Sequence, residues 1–175
     1  MPVVLGLRAK TGRAIAVVLA GKAAAPRFVA RREISLVDPA IEDTAQPYHV
    51  VMEMPWADAT VAVRELVVAI ERVATKAVRA LAGEFDVRAV GIVGAPERKL
   101  EKIGNQHIRA HAAEGVLFRH VLEVAAEANK LRHRAFPEKT LPSDFASQLR
   151  DLGRAAGSPW RADEKMAATA ALLLL

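Results

Sequence analysis

The first third of the chain has the hydrophobic pattern of β-strands. Apolar runs at Val3–Leu7 and Ala14–Ala20 are separated by a turn that contains Lys10-Thr11-Gly12. Short runs rich in Val, Ile and Leu, joined by a glycine-containing turn, are typical of a β-hairpin. A third strand with a partly alternating pattern is predicted over Arg27–Val37, and Asp38-Pro39 ends it. We therefore expect the fold to begin with three strands.

Helical periodicity begins after a connection that covers residues 38–57, in which we expect a short extended piece at Tyr48–Met52. Asp58 is predicted to cap a helix that runs to Gly83. Apolar residues recur there at intervals of three and four, which gives the helix one apolar face. That face comprises Val63, Leu66, Val67, Ile70, Val73, Ala74, Ala77 and Leu81.

The rest of the chain alternates between the two patterns. The continuous apolar run Val87–Val93 predicts a central strand that is buried on both faces. A helical region from Arg98 to Leu131 and a strand at His133–Phe136 follow. Two helices are expected at the end, one over Ser143–Ala155 and one that opens at Ser158-Pro159, because proline is favoured at the first helical position.

Composition indicates one domain of 175 residues with a core of aliphatic side chains, since 52% of residues are hydrophobic but only 5% are aromatic. The absence of cysteine excludes disulfides, thiolate zinc sites and cysteine nucleophiles, and it favours a cytoplasmic location. No membrane contact is expected, because the longest apolar segment, Met166–Leu175, is half of the ~20 residues that a membrane helix needs.

The chain is mildly basic, with 25 Lys and Arg against 20 Asp and Glu, a net charge of +5. This excess is compatible with DNA or another polyanion as a partner, and equally with a soluble protein that carries extra arginine. Cations surround the first turn, where backbone amides and side chains together can hold a phosphate. The alternative is a solvated hairpin tip whose charges protect a strand edge. The residues concerned are Arg8, Lys10, Thr11 and Arg13.

A second basic group follows the predicted fourth strand and comprises Arg98, Lys99, Lys102 and Arg109. Open α/β sheets bind ligands beyond the carboxyl ends of their strands, so this group is a second candidate for phosphate or nucleic-acid binding. A solvated helix face is the alternative.

Two weaker patterns concern metals. His107, His111 and Glu114 would share one face of a continuous helix, and imidazoles one turn apart can chelate zinc, although a surface histidine pair explains them as well. Asp163 and Glu164 are acids near the start of the last helix, where the helix dipole alone favours them. We assign no metal site to these residues, and no motif predicts a cofactor or a catalytic nucleophile.

The order of predicted elements is that of the ribonuclease H-like fold, and within it the chain resembles the RuvC-type Holliday-junction resolvases. The resemblance implies a mixed α/β sheet, with the first three strands antiparallel and the later ones parallel, flanked by helices. It covers most of the chain in short motifs. These are Leu5-Gly6-Leu7 with Thr11-Gly12, the helix His111–Ala128, Arg132–Phe136 with Pro137-Glu138-Lys139, and Ala162–Ala168.

The resemblance also implies acidic metal ligands, and here the sequence departs from the family. The aspartate of the family's first strand falls on Arg8, and the glutamate that ends its fourth strand falls near Val93 or Gly94. Two-metal hydrolysis needs several converging carboxylates, and a guanidinium among them would repel magnesium. We therefore expect no catalysis by the family mechanism.

The favoured hypothesis is a diverged, non-catalytic protein that binds structured or branched DNA. One alternative is a homo-oligomeric interaction protein that buries its apolar segment Ala170–Leu175 in a dimer. The other is a metal-dependent nuclease with an altered site.

Overall fold

The computed structural model describes all residues from 1 to 175, with five strands and six α-helices. The strands are β1 (Val3–Lys10), β2 (Arg13–Lys22), β3 (Ala25–Ser35), β4 (Val87–Gly94) and β5 (Arg132–Pro137). The helices are α1 (Pro47–Val50), α2 (Trp56–Ala62), α3 (Arg64–Glu84), α4 (Gln106–Ala128), α5 (Ala146–Ala156) and α6 (Ala162–Leu172). Single 3-10 turns lie at Leu100–Lys102 and Glu138–Thr140.

The strands form one mixed sheet in the order β3-β2-β1-β4-β5. The pairs β1/β2 and β2/β3 are antiparallel, whereas β1/β4 and β4/β5 are parallel. The predicted fold class, antiparallel strands followed by parallel ones, is confirmed. The carboxyl ends of β1, β4 and β5 consequently meet at one edge of the sheet.

Alternate residues of the strands serve two hydrophobic layers, because successive side chains of a strand point to opposite faces. Leu5 and Leu7 of β1 pack with α3 and α4, whose buried residues include Ile70 and Phe118. Val4 belongs to the other layer, which α5 and α6 cover. Each face of the sheet is thus covered by its own pair of helices.

The α6 backbone lies directly on the sheet at two glycines. A Cβ atom at Gly6 of β1 would lie 1.8 Å from the carbonyl oxygen of Ala167, and one at Gly91 of β4 would lie 2.4 Å from that of Ala170. Only residues without a side chain allow this approach, so these glycines set the position of α6 against β1 and β4.

Two predicted boundaries in the first helical region are wrong. Asp58 lies inside the first turn of α2 rather than at an N-cap, and the predicted single helix is interrupted at Val63 between α2 and α3. Tyr48–Met52 is not extended, because Pro47 occupies the first position of the short helix α1.

Three later helices begin after their predicted starts, and the one predicted over Ser143–Ala155 begins at Ala146. The helix predicted from Arg98 begins at Gln106, where the Asn105 side chain accepts a hydrogen bond of 2.9 Å from the Ile108 amide. The last helix begins at Ala162, and Ser158-Pro159 lies before it with a cis peptide bond. The Glu164 carboxylate caps this helix by accepting from the Arg161 amide at 2.9 Å.

The apolar end of the chain packs within its own domain. Leu172 is buried against the layer formed by α5 and α6, and Leu174 and Leu175 pack against the same layer. The Arg88 guanidinium donates to the carbonyl oxygens of Leu174 and Leu175. Ala170–Leu172 of the segment that the interaction-protein alternative would bury in a dimer are therefore packed inside the domain, and Leu173, Leu174 and Leu175 are half-buried. No helix combines the length and the hydrophobicity that a bilayer crossing requires.

Candidate functional site

The candidate site is a cleft at the edge of the sheet where the parallel strands end. Two adjoining cavities of about 200 and 320 Å³ share Ala95, Gly115 and Glu138 in their walls. We call them together the strand-end cleft. Its polar lining comprises Arg8, Lys10, Thr11, Arg98, His111, Glu138, Lys139 and Thr140.

The first cavity is built around Arg8. This residue lies beside Val93 in the β1/β4 pairing, on the sheet face that carries α6, and its side chain is buried. Its Nη2 donates to Glu138 Oε2 at 2.9 Å, and its Nε donates to Asp163 Oδ1 at 3.3 Å. Lys10 Nζ lies 3.4 Å from the other oxygen of Asp163. Two cations and two carboxylates thus form one cluster, which we call the Arg8 cluster.

The Arg8 side chain lies in the cleft beyond the ends of β1 and β4, at the place where the sequence predicts a phosphate-binding residue. Arg8 forms a salt bridge with Asp163 instead of leaving an open anion pocket. Glu97, three residues after the end of β4, pairs with Arg119, whose side chain covers Gly94. A phosphate that bound both Nε and Nη2 of Arg8 would have to displace the Asp163 and Glu138 carboxylates.

The Arg8 cluster does not fit the divalent metal ions that the family resemblance implies. Its two carboxylates are already neutralised by Arg8 and Lys10, and a fixed guanidinium repels a cation at that place. Glu164 adds nothing to the cluster, because it caps α6 and lines a different cavity together with Arg31. The adjacent acids of the sequence therefore do not form a metal-binding pair.

The predicted phosphate-binding residues do not all converge. Lys10 and Thr11 line the cleft beside Arg8, whereas Arg13 points away and pairs with Glu33 at 3.2 Å. Arg98 lines the second cavity, and Lys99 and Lys102 follow it as exposed side chains on the connection to α4.

Sequence reasoning missed three lining residues, Glu138, Lys139 and Thr140, which form the 3-10 turn after β5. The rule that pointed to the residues after β4 applies equally to the residues after any parallel strand. Applied to the predicted strand at His133–Phe136, it would have identified this turn.

Of the predicted histidine pair, His111 lines the second cavity and His107 lies beside it on the same helix. His107 and His111 occupy the first turns of α4, and their Nε2 atoms are 3.1 Å apart. Glu114 does not complete a surface face with them, because its side chain is fully buried and bonds to His49. His49 was not predicted to belong here, since it lies in the connection that we expected to be extended.

Comparison with known proteins identifies the fold. No family model matches the sequence, and no curated protein matches it. The RuvC protein of Thermus thermophilus in complex with a Holliday junction substrate matches 98% of this chain and 91% of its own, with 13% identity and a TM-score of 0.54. A second structure of Thermus thermophilus RuvC matches 97% of this chain and 91% of its own, with 15% identity and a TM-score of 0.52. The chain has the ribonuclease H-like fold of these proteins.

Proposed function

We propose that this protein binds branched DNA in the strand-end cleft and does not cleave it with carboxylate-held metal ions. The observation that carries the proposal is the likeness of fold, over nearly the whole length of both chains, to a structure that holds a Holliday junction substrate. The two chains share the fold, but their sequence identity is only 13%. The role of the residues in the cleft must therefore be inferred from their own charges and contacts.

The charges of the cleft support binding to a polyanion. Arg98 and Lys139 line the second cavity as exposed side chains and form no ion pair. Lys99 and Lys102 extend the same basic surface along the connection to α4, also without an ion pair. Free cations of this kind bind phosphate oxygens and release counterions, which gives affinity without reading base sequence.

The Arg8 cluster supports the second part of the proposal. Hydrolysis by two metal ions requires carboxylates that are free to bind both ions about 3.5–4 Å apart. Here the carboxylates of Glu138 and Asp163 are engaged by Arg8 and Lys10. Salt bridges consequently occupy the first cavity, and the exposed cations of the second cavity, Arg98 and Lys139, provide the proposed binding surface.

Titration of fluorescent four-way junctions and plain duplexes, by anisotropy at several salt concentrations, tests the proposal. Affinity should fall steeply with salt, with a slope of about −0.9 in log K per phosphate contact. The variant Arg98→Ala/Lys139→Ala should bind more weakly and lower that slope by about two. Lys22→Ala is the matched control, because Lys22 is exposed and ends β2 at the opposite edge of the sheet.

Three results would contradict the proposal. One is the absence of binding at micromolar protein in low salt, and another is an equal effect of Lys22→Ala and the double variant. The third is cleavage of junction or duplex DNA during incubation with Mg²⁺ or Mn²⁺, since the proposal predicts that the DNA stays intact. Cleavage that Asp163→Ala abolishes would establish the nuclease alternative instead.

A further inference from the structure

Three histidines from two separate segments converge beside the strand-end cleft. One ring nitrogen from each of His49, His107 and His111 lies within 4.8 Å of the others. The Nε2 atoms of His107 and His111 are 3.1 Å apart, so both point at nearly the same place. We propose that these three side chains bind one zinc ion, at a site separate from the Arg8 cluster.

Helix α4 positions two of the ligands. His107 and His111 are four residues apart in its first turns, which places them on one face. The Asn105 cap fixes where the helix begins, and both rings are exposed, so they are free to turn toward an ion. Zinc–nitrogen bonds of about 2.0–2.1 Å in tetrahedral geometry place two ligand nitrogens about 3.3 Å apart. The observed 3.1 Å is close to that separation.

The third ligand, His49, is held in place by the buried carboxylate of Glu114. The Nδ1 atom of His49 lies 2.9 Å from Oε1 of Glu114, and the His49 amide donates to the same oxygen at 3.2 Å. This contact leaves Nε2 as the ring nitrogen of His49 that can bind an ion. A carboxylate that fixes a ligand histidine through its second nitrogen is the usual outer shell of a zinc site.

Glu114 itself is the second observation that points to a cation. Its side chain is fully buried in α4, and its Oε2 atom has no hydrogen-bond partner. A buried carboxylate is costly unless positive charge compensates it. None of the arginines or lysines forms an ion pair with it, and a metal ion on His49 would supply that charge.

The ligand set selects the metal. Three imidazoles suit zinc and other late first-row metals, whereas magnesium and calcium prefer oxygen ligands. Three protein ligands also leave a fourth tetrahedral position for water or a bound group. That position is near the strand-end cleft, since His111 is one of the three histidines and also lines the second cavity. Zinc binding can be measured without DNA, so its outcome is independent of the proposed function.

Isothermal titration of the metal-stripped full chain with Zn²⁺, with a competing chelator where binding is tight, tests the site. We expect one equivalent bound. Loss of a residue that only orients a metal ligand typically weakens metal binding by about 10–100-fold. Because His107→Ala and His111→Ala each remove a ligand itself, each should weaken zinc binding by more than that. Both rings are exposed, so these variants should fold, which far-UV circular dichroism checks. His120→Ala is the matched control, because His120 is exposed on the same helix but outside the cluster.

Glu114→Gln tests the positioning role, because it keeps the shape but removes the charge. It should weaken zinc binding by about 10–100-fold, and unchanged affinity would contradict that role. Co²⁺ substituted for zinc should give the visible absorption of a tetrahedral site, lost in His107→Ala. The proposal is overturned if the wild type binds zinc no better than His107→Ala/His111→Ala, which would leave a metal-free hydrogen bond between these two rings.

Discussion

At the scale of single residues, the most consequential side chain is Arg8, a buried cation between two carboxylates of unequal exposure. Glu138 is 42% exposed on its side chain and Asp163 is 29% exposed, whereas Arg8 is 9% exposed. Water therefore screens the two acids more than it screens Arg8. The cluster joins the end of β1 to the turn after β5 and to the first turn of α6, three segments that are far apart in the chain.

Arg8→Met keeps the aliphatic part of this side chain and removes the charge. We expect it to lower the free energy of unfolding by about 1.5–3 kcal/mol, the value of hydrogen bonds to charged groups. The loss stays moderate because Asp163 keeps Lys10 as a partner and Glu138 turns to water. Urea unfolding measures it. Arg13→Met on the same hairpin breaks only an exposed pair and should cost about 0–1 kcal/mol. Equal losses in the two variants would contradict the importance of burial at Arg8.

Asp38, which follows β3, gives a second expectation at this scale. A hydrogen bond from the Ala40 amide, and then one from Arg72, hold the pKa of Asp38 below its ordinary value of 3.8. A lowered pKa in the folded protein contributes stability above pH 3.8, and that contribution is lost as the pH falls through the folded pKa. The free energy of unfolding should thus decline more steeply below pH 3.8 for the wild type than for Asp38→Asn. Arg72→Met should remove only part of this difference, because the Ala40 amide is the larger cause.

At the scale of elements, the contact between α6 and the sheet depends on two residues without side chains. Gly6 and Gly91 lie on neighbouring strands, under Ala167 and Ala170 of the helix. Because both strand backbones meet the helix backbone directly, neither partner can yield by rotating a side chain. The same helix brings Asp163 to Arg8, so its position also determines the geometry of the cleft.

Gly6→Ala tests this contact. The added methyl group would lie 1.8 Å from a backbone oxygen, so α6 must shift, and we expect a loss of about 3 kcal/mol, the upper end for overpacked cores. Gly83→Ala in α3 is the control, because its Cβ meets nothing within 4 Å. It should stabilise the protein by about 0.5–1 kcal/mol. Thermal unfolding compares the two variants, and a tolerated Gly6→Ala would show that α6 sits less tightly than described.

At the scale of the whole molecule, most of the sheet was predictable, because β1, β2 and β4 carry continuous apolar runs. The continuous apolar run Val87–Val93 indicates a central strand, which pairs with β1 in the structure. The hairpin turn contains Gly12, whose positive φ of 73° favours glycine. Helix starts were harder to predict. A helix start depends on a single capping contact, such as the hydrogen bond from the Ile108 amide to Asn105. The apolar pattern of the sequence does not show where that contact forms.

The candidate sites were predictable only where neighbours in sequence make them. His107 and His111 could be paired from their spacing alone, and Arg8 could be placed from the family resemblance. His49 and Glu138 could not be found in that way, because each reaches its partners through tertiary packing from a distant segment. The proline that begins α1 was the one local sign that His49 lies on a helix.

The separate covering of the two sheet faces affects how the chain folds as it leaves the ribosome. β1, β2 and β4 and the helices of the first layer are complete once Ala128 has been made. The opposite face, with Val4, Val17 and Leu19, is covered only by α5 and α6, the last two helices. A nascent chain that has not reached residue 146 therefore holds a nearly finished sheet with one apolar side open to water. Chaperone binding or aggregation during synthesis should concentrate in that interval, and α6 closes it.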